Sequence, residues 1–235
     1  MAQGLFYFFM IIVDNPLLRL LKFILLAFFF LIDVQRFPVE VFAGKPVEES
    51  NFIEVLARVT HSTAINPELI SSFANKAKDF LPLAKTSIVT LIDFSLPSTA
   101  RRLWTINLET GEVLYNTWVA HGKNSGNNEA QSFSNKPQSY QSSLGFYLTD
   151  QTYTGKHGHS LRLKGLEKNI NDKAWERAIV IHGADYVTES FIKTHGRLGR
   201  SHGCPAIPPE ITDEFINTVK DGSLLFIYHP GYKKG

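Results

Sequence analysis

The sequence predicts an α+β fold, mainly β, with a short helical segment ahead of the strands. Three observations carry that prediction. Residues 47–83 space their apolar side chains at helical intervals, residues 87–119 form successive β-branched and aromatic runs, and isolated strand-like runs recur as far as Tyr228. The chain has 235 residues, of which 44% are hydrophobic, enough for one domain of ordinary size with additional segments. A formal net charge of +2, with the basic residues scattered, excludes the clustered basic face that a nucleic-acid partner needs. One cysteine, Cys204, excludes an intramolecular disulfide framework and paired-cysteine zinc sites. The eight histidines show no HExxH helix and no recurrent ligand spacing, so neither a metal nor a cofactor is expected.

Residues 1–43 differ from the rest. Two apolar runs, Leu5–Val13 and Phe23–Ile32, flank Asp14-Asn15-Pro16 and the basic Arg19 and Lys22. Phe23–Ile32 has the length of a signal-peptide core and is short for a bilayer span. Two readings stand: a signal peptide cleaved after Val41-Phe42-Ala43, or an N-terminal membrane anchor over Leu17–Ile32 with Arg19 and Lys22 on the cytoplasmic side. A start at Met10 would give a conventional basic segment before the apolar core. Either reading implies export to the periplasm or cell envelope, with membrane contact confined to this segment.

Residues 44–85 form the expected helical segment, packing on the domain that follows. Phe52, Val55, Leu56 and Val59 mark one helical face. Asn66-Pro67-Glu68 supplies an N-cap, a proline at the first helical position and an acidic first turn. The stripe Ile70, Phe73, Ala74, Ala77, Phe80 and Leu81 then runs to Pro82, which ends it. Residues 86–235 form the main domain. Strands are expected at Ser87–Phe94, Leu103–Leu108, Val113–Val119, Gly145–Thr149, Ser160–Leu163, Ala178–Ile181 and Leu224–Tyr228. A short helix is expected at Glu189–His195, and another opens at Pro209-Glu210 with Ile211, Phe215, Ile216 and Val219 inward. The polar stretch His121–Ser143 is a long loop, and loops of that length are usually functional or mobile.

The chemistry gathers in Gly196–Ala206, which reads G-R-L-G-R-S-H-G-C-P-A. A lone cysteine is usually a small buried hydrophobe. Here Arg197, Arg200, Ser201 and His202 are not core residues, Gly199 and Gly203 suit a turned backbone, and nearby cations lower a thiol pKa. Cys204 is therefore the candidate nucleophile. Its base must come from elsewhere in the chain, and His182 qualifies: it ends the apolar run Ala178–Ile181 and precedes Gly183, which presents an imidazole at a sheet rim. A zinc site from His182, His202 and Cys204 is the weaker alternative. His157 and His159 read as a polar loop, and His61, His195 and His229 as structural or solvated.

Ser201-His202-Gly203-Cys204 with an upstream His182-Gly183 resembles the signature of the L,D-transpeptidase catalytic domain family (YkuD-like), in its G-R-S-x-G-C-P-A branch. Ile92-Asp93-Phe94, Val119-Ala120-His121-Gly122, Phe133-Ser134-Asn135, Ser142–Phe146 and Ser160–Gly165 agree with it. The interval from His182 to Ser201 is slightly longer than the family's usual gap. Pro205-Ala206 stands where the commoner motif has an apolar residue and then Asn or Arg, so that polar residue's role does not carry over. Arg200 is a candidate substitute.

The resemblance implies a β-sandwich catalytic domain acting on peptidoglycan stem peptides. His182 takes the Cys204 proton, the thiolate attacks an acyl carbonyl, and a thioester acyl-enzyme passes its acyl group to an amine. A backbone carbonyl is the expected third partner of the histidine. Backbone N–H groups around Gly203 and Cys204 are the expected oxyanion donors, with Ser201 and His202 shaping the site. Arg197, Arg200, His121 and Gly183 are candidate substrate contacts. Water in place of the amine would make an L,D-carboxypeptidase, and a silent peptidoglycan-binding protein is the reading from another class. The His121–Ser143 loop, with Gly122 and Gly126 as hinges, is expected to act as a flap that excludes water.

Overall fold

The computed structural model describes residues 49–232. The expected signal peptide or anchor over residues 1–43 lies outside them. Among the described residues no helix is long and apolar enough to cross a membrane.

Two helices lead, α1 (Glu49–Ser62) and α2 (Pro67–Phe80). Asn66 caps α2 as its sequence predicts, its Oδ1 accepting the Glu68 N–H at 2.9 Å. A single 3-10 turn, Leu81–Leu83, closes it at Pro82. The strands are β1 (Ile88–Asp93), β2 (Leu103–Asn107), β3 (Val113–Thr117), β4 (Gly145–Gly155), β5 (Gly158–Gly165), β6 (Val180–Gly183), β7 (Ala206–Ile207) and β8 (Leu224–Tyr228). α3 (Glu189–His195) precedes β7, and α4 (Thr212–Val219) precedes β8.

All eight strands join one mixed sheet in the order β3-β2-β1-β8-β4-β5-β6-β7. β1 with β8 and β6 with β7 are parallel pairs, and the other neighbours are antiparallel. The central strands β1 and β8 are buried on both faces and so read as nearly unbroken apolar runs. Along β8 the side chains alternate between two cores: Leu224, Phe226 and Tyr228 meet α1 and α2, while Leu225 and Ile227 face a second cluster containing Phe215, Ile216 and Val219 of α4.

The expected mainly-β, α+β architecture behind a helical segment is present, and its strands wrap as one sheet whose ends meet. Ala120, just past the edge strand β3, pairs with Ala206 of the opposite edge strand β7. The Ala120 N–H donates to Ala206 O at 2.8 Å, and the Ala206 N–H returns the bond at 3.4 Å. A buried cation braces this closure. Arg102, fully buried, donates from Nε and Nη2 to Val119 O (3.1 and 2.9 Å) and from Nη1 to Leu96 O (2.7 Å).

Three local differences from the sequence reading have physical causes. β4 and β5 run on as a hairpin to Gly155 and Gly158, because Tyr153, Thr154 and His159 pair across strands without an apolar face to reveal them. β6 starts at Val180 rather than Ala178, because Ala178 takes a left-handed φ of +52° that no strand continues through. β7 is two residues long between Pro205 and Pro208, too short for any periodic signal.

The helices are attached chiefly through Phe73, fully buried, with ring centroids 5.7 Å from Phe52, 5.6 Å from Phe146 and 5.9 Å from Phe226. Phe73→Ala removes the ring on which both helices and two strands converge. It should lower the free energy of unfolding by about 3–5 kcal/mol in urea titrations; a loss under ~1 kcal/mol would mean that this cluster does not hold the helices in place.

Candidate active site

The parallel pairing of β6 with β7 sets His182 opposite Ala206. Cys204 lies two residues before Ala206 and therefore beside Val180. One strand across and two residues along is a Cα separation of about 8 Å. In the structure the thiol donates to Ala178 O at 3.8 Å. The N–H groups of Val180 and of Cys204 itself face the sulfur.

His182 is buried, and its Nδ1–H donates to Gly183 O at 2.9 Å. That bond fixes the tautomer, leaving the Nε2 lone pair free to accept a proton. Burial lowers its pKa below the ordinary 6.5; the charges of His157 and Lys156 push the same way, against the Gly183 hydrogen bond. Burial also raises the Cys204 thiol above 9.0, opposed by the facing N–H groups and by Arg177. Both partners are thus neutral at pH 7. Both directions favour a thiol and an imidazole over a preformed ion pair.

Ser201 shapes the motif turn. Its Oγ accepts the Gly203 N–H at 3.0 Å and donates to Cys204 O at 2.6 Å. Gly203 is consequently not an oxyanion donor: its N–H is taken by Ser201, and its carbonyl accepts Ser142 Oγ at 3.1 Å. What Gly203 supplies is conformation and close approach. Its φ is +121°, and a Cβ there would stand 2.8 Å from Gln141 O. The Cys204 N–H remains as the backbone donor of the motif. His202 is exposed, with its ring 4.6 Å from that of Tyr140, which also lies under Lys123 Nζ at 4.2 Å.

The candidate substrate contacts fare differently. His121 is fully buried, hydrogen-bonded to Arg102 Nη2 at 2.8 Å and edge-on to Phe94. Burial, and then the Arg102 charge, push its pKa down to about 3, so it is a neutral structural group and not a substrate contact. Arg200 Nη1 donates to Gly126 O at 3.0 Å, and Arg197 Nη1 to Leu198 O at 2.7 Å. Arg200 does not stand in for the missing motif residue, because it points its charge at the 123–126 backbone. Gly183 orients His182 through its carbonyl, and a side chain there would collide with Thr212 Oγ1.

The expected flap is tied by hydrogen bonds along its length. Arg177 donates from Nη1 to Ser134 O (2.7 Å) and Ser143 Oγ (3.1 Å), and from Nη2 to Gln141 O (2.5 Å) and Ser139 Oγ (3.3 Å). The Lys123 N–H donates to Ser201 O at 2.8 Å, and Gly122 pairs with Ser201. Gly122 is no hinge: a Cβ there would lie 2.5 Å from Tyr140 O and 2.9 Å from Gly203 Cα. A pocket of about 250 Å³ lies along this loop, lined in part by Phe133, Leu144 and Tyr232, and shares Ser134 and Ser143 with Arg177.

Three neighbours of the pair escaped the sequence reading: Arg177, Tyr186 and His157. Tyr186 has its pKa raised to about 12 by burial and then by the Cys204 charge. His157, at the tip of the β4–β5 hairpin, lays its ring 4.6 Å from that of His182. No local spacing marks any of them, because each arrives from a separate element. Among the described residues no three His, Cys, Asp or Glu side chains gather as a metal cluster.

The L,D-transpeptidase catalytic-domain model matches residues 59–228. The chain belongs to that family. No curated protein matches it. Solved structures similar to it include an L,D-transpeptidase from Mycobacterium smegmatis (14% identity, 61% of this chain and 59% of that one, TM-score 0.37). Others are the Enterococcus faecium L,D-transpeptidase (16%, 63% and 51%, 0.36) and the Campylobacter jejuni helical cell shape determining protein Pgp2 (15%, 64% and 49%, 0.39). The chain spans between 49% and 59% of the length of these three.

The neutral pair has a kinetic signature. If Cys204 is acylated with His182 as the base, a neutral imidazole is needed, and the rate should stay level through pH 7 and fall on the acid side with a midpoint below 6.5. The pH profile of single-turnover acylation checks this, and an acid midpoint above 7 would contradict the thiol–imidazole resting state.

Proposed function

We propose that the protein is a peptidoglycan L,D-transpeptidase that works through a Cys204 thioester. One observation carries the reading: a buried, neutral His182, held by Gly183 O with Nε2 free, stands one strand from a thiol that N–H groups already face. The Cys204 proton passes to His182 Nε2 as the sulfur bonds to the acyl carbon of a stem peptide. The C–N bond to the terminal D-amino acid breaks, and the leaving amine takes the proton back from the imidazolium. An amine of a second stem then attacks the thioester and gives its proton to His182. Cys204 leaves as thiolate and is reprotonated. The Cys204 N–H is the proposed oxyanion donor. Such a substrate lies outside the cytoplasm, and residues 1–43 are proposed to direct export, by cleavage after Ala43 or as an anchor.

Cys204→Ala should abolish turnover with little change in thermal stability, and a carbapenem should add to the intact protein by mass spectrometry but not to the variant. His182→Ala should slow acylation by about two to four orders of magnitude. Unchanged turnover in Cys204→Ala would end the nucleophile reading, and no turnover in the wild type would leave a non-catalytic peptidoglycan-binding protein as the better one.

Disaccharide-tetrapeptide incubated with and without an added D-amino acid separates transfer from hydrolysis. Cross-linked dimer, or exchange of the terminal residue, is the expected main product, because the loop packed against Gly203 restricts water beside the thioester. Tripeptide alone in both reactions would make the enzyme an L,D-carboxypeptidase.

A further inference from the structure

We propose that Arg177 is the positioning residue for the nucleophile, its guanidinium supplying the positive charge that the Cys204 thiolate meets when it forms. The inference deepens the reading of Cys204 as nucleophile and rests on it.

Arg177 is half-buried, and its four described hydrogen bonds all end on neutral oxygens. Among the described residues no carboxylate pairs with it. A partly desolvated cation without a counter-ion is costly, and it favours any anion that forms beside it. The ionisable groups whose charges reach it are Tyr147 and Cys204. Tyr147 is fully buried, its OH donating to Ser143, and burial raises its pKa, so it stays neutral. That leaves the sulfur.

The backbone supports the same assignment from two sides. Ala178, the residue after Arg177, turns left-handed and receives the Cys204 thiol on its carbonyl. Nη2 itself abuts Gly203, the residue before Cys204, at 3.2 Å from where a Cβ would stand. Any side chain at position 203 would therefore press against the guanidinium. Pro205 and Ala206 carry no charge, and Arg200 is committed to Gly126. The other ionisable group whose charge reaches the sulfur is Tyr186, whose anion would oppose thiolate formation.

Cys204 is the only cysteine in the sequence, so the pH dependence of iodoacetamide alkylation of the full-length protein reads its ionisation with no substrate present. Arg177→Gln keeps donors for the loop and loses the charge; its alkylation at pH 7 should be about tenfold slower, with the midpoint moved up. Arg177→Lys keeps the charge and should stay within about threefold of the wild type. Ser139→Asp, which sets a carboxylate against Nη2, should slow alkylation even if Arg177→Gln does not fold. An unmoved midpoint in Arg177→Gln or Ser139→Asp overturns the proposal. So does an equal shift in the Lys and Gln variants, which would make loop geometry the cause. Because the assay needs no transfer reaction, its failure is distinct from finding Cys204→Ala active, which would end the transpeptidase reading instead.

Discussion

The pairing of Ala120 with Ala206 is the contact on which the rest of the site depends. It joins the two edges of an eight-stranded sheet, so the chain leaving β3 lands on the motif loop before β7. His121 O then receives the Ser201 N–H at 3.0 Å, and Ser201 O receives that of Lys123. Arg102 makes the closure stable. A buried guanidinium costs several kcal/mol unless its donors are met, and here they reach Leu96 O, Val119 O and His121 Nδ1 while the cation lies 4.8 Å above the Phe94 ring. Burial still draws its pKa down to about 9, against the pull of Asp93. The group nonetheless remains charged at neutral pH.

Desolvation then sets the protonation states at the reactive pair. It pushes His182 down and Cys204 up, and both directions favour the uncharged forms. The hydrogen bonds oppose the trend selectively. Gly183 O orients the imidazole, and N–H groups with one cation wait at the sulfur. In the proposed reaction, the charge separation needed for attack would meet dipoles already in place.

Much of the fold was legible because burial leaves a period in the sequence. β8 at Leu224–Tyr228 and α3 at Glu189–His195 have the predicted bounds, and the Asn66 cap makes its predicted bond. Elements without a buried face left no such trace, as at the exposed β4–β5 hairpin and the two-residue β7. The His121–Ser143 loop misled for a related reason. Glycine and polar residues look mobile in a sequence, yet Gly122 serves a close backbone approach and the serines serve Arg177.

The sequence by itself determined the local chemistry: a unique thiol in a turned Ser-His-Gly-Cys segment, a histidine at a strand end, and the helical and strand periods around them. Those properties depend on neighbouring residues and so can be read from their order. Tertiary structure alone decided which charges and donors surround the pair. Arg177, Tyr186 and His157 approach from three separate elements, His121 is sealed under the loop it begins, and the Gly203 N–H is spent on Ser201. Each outcome depends on the sheet closing on itself, and closure joins residues whose distance along the chain carries no record of their distance in space.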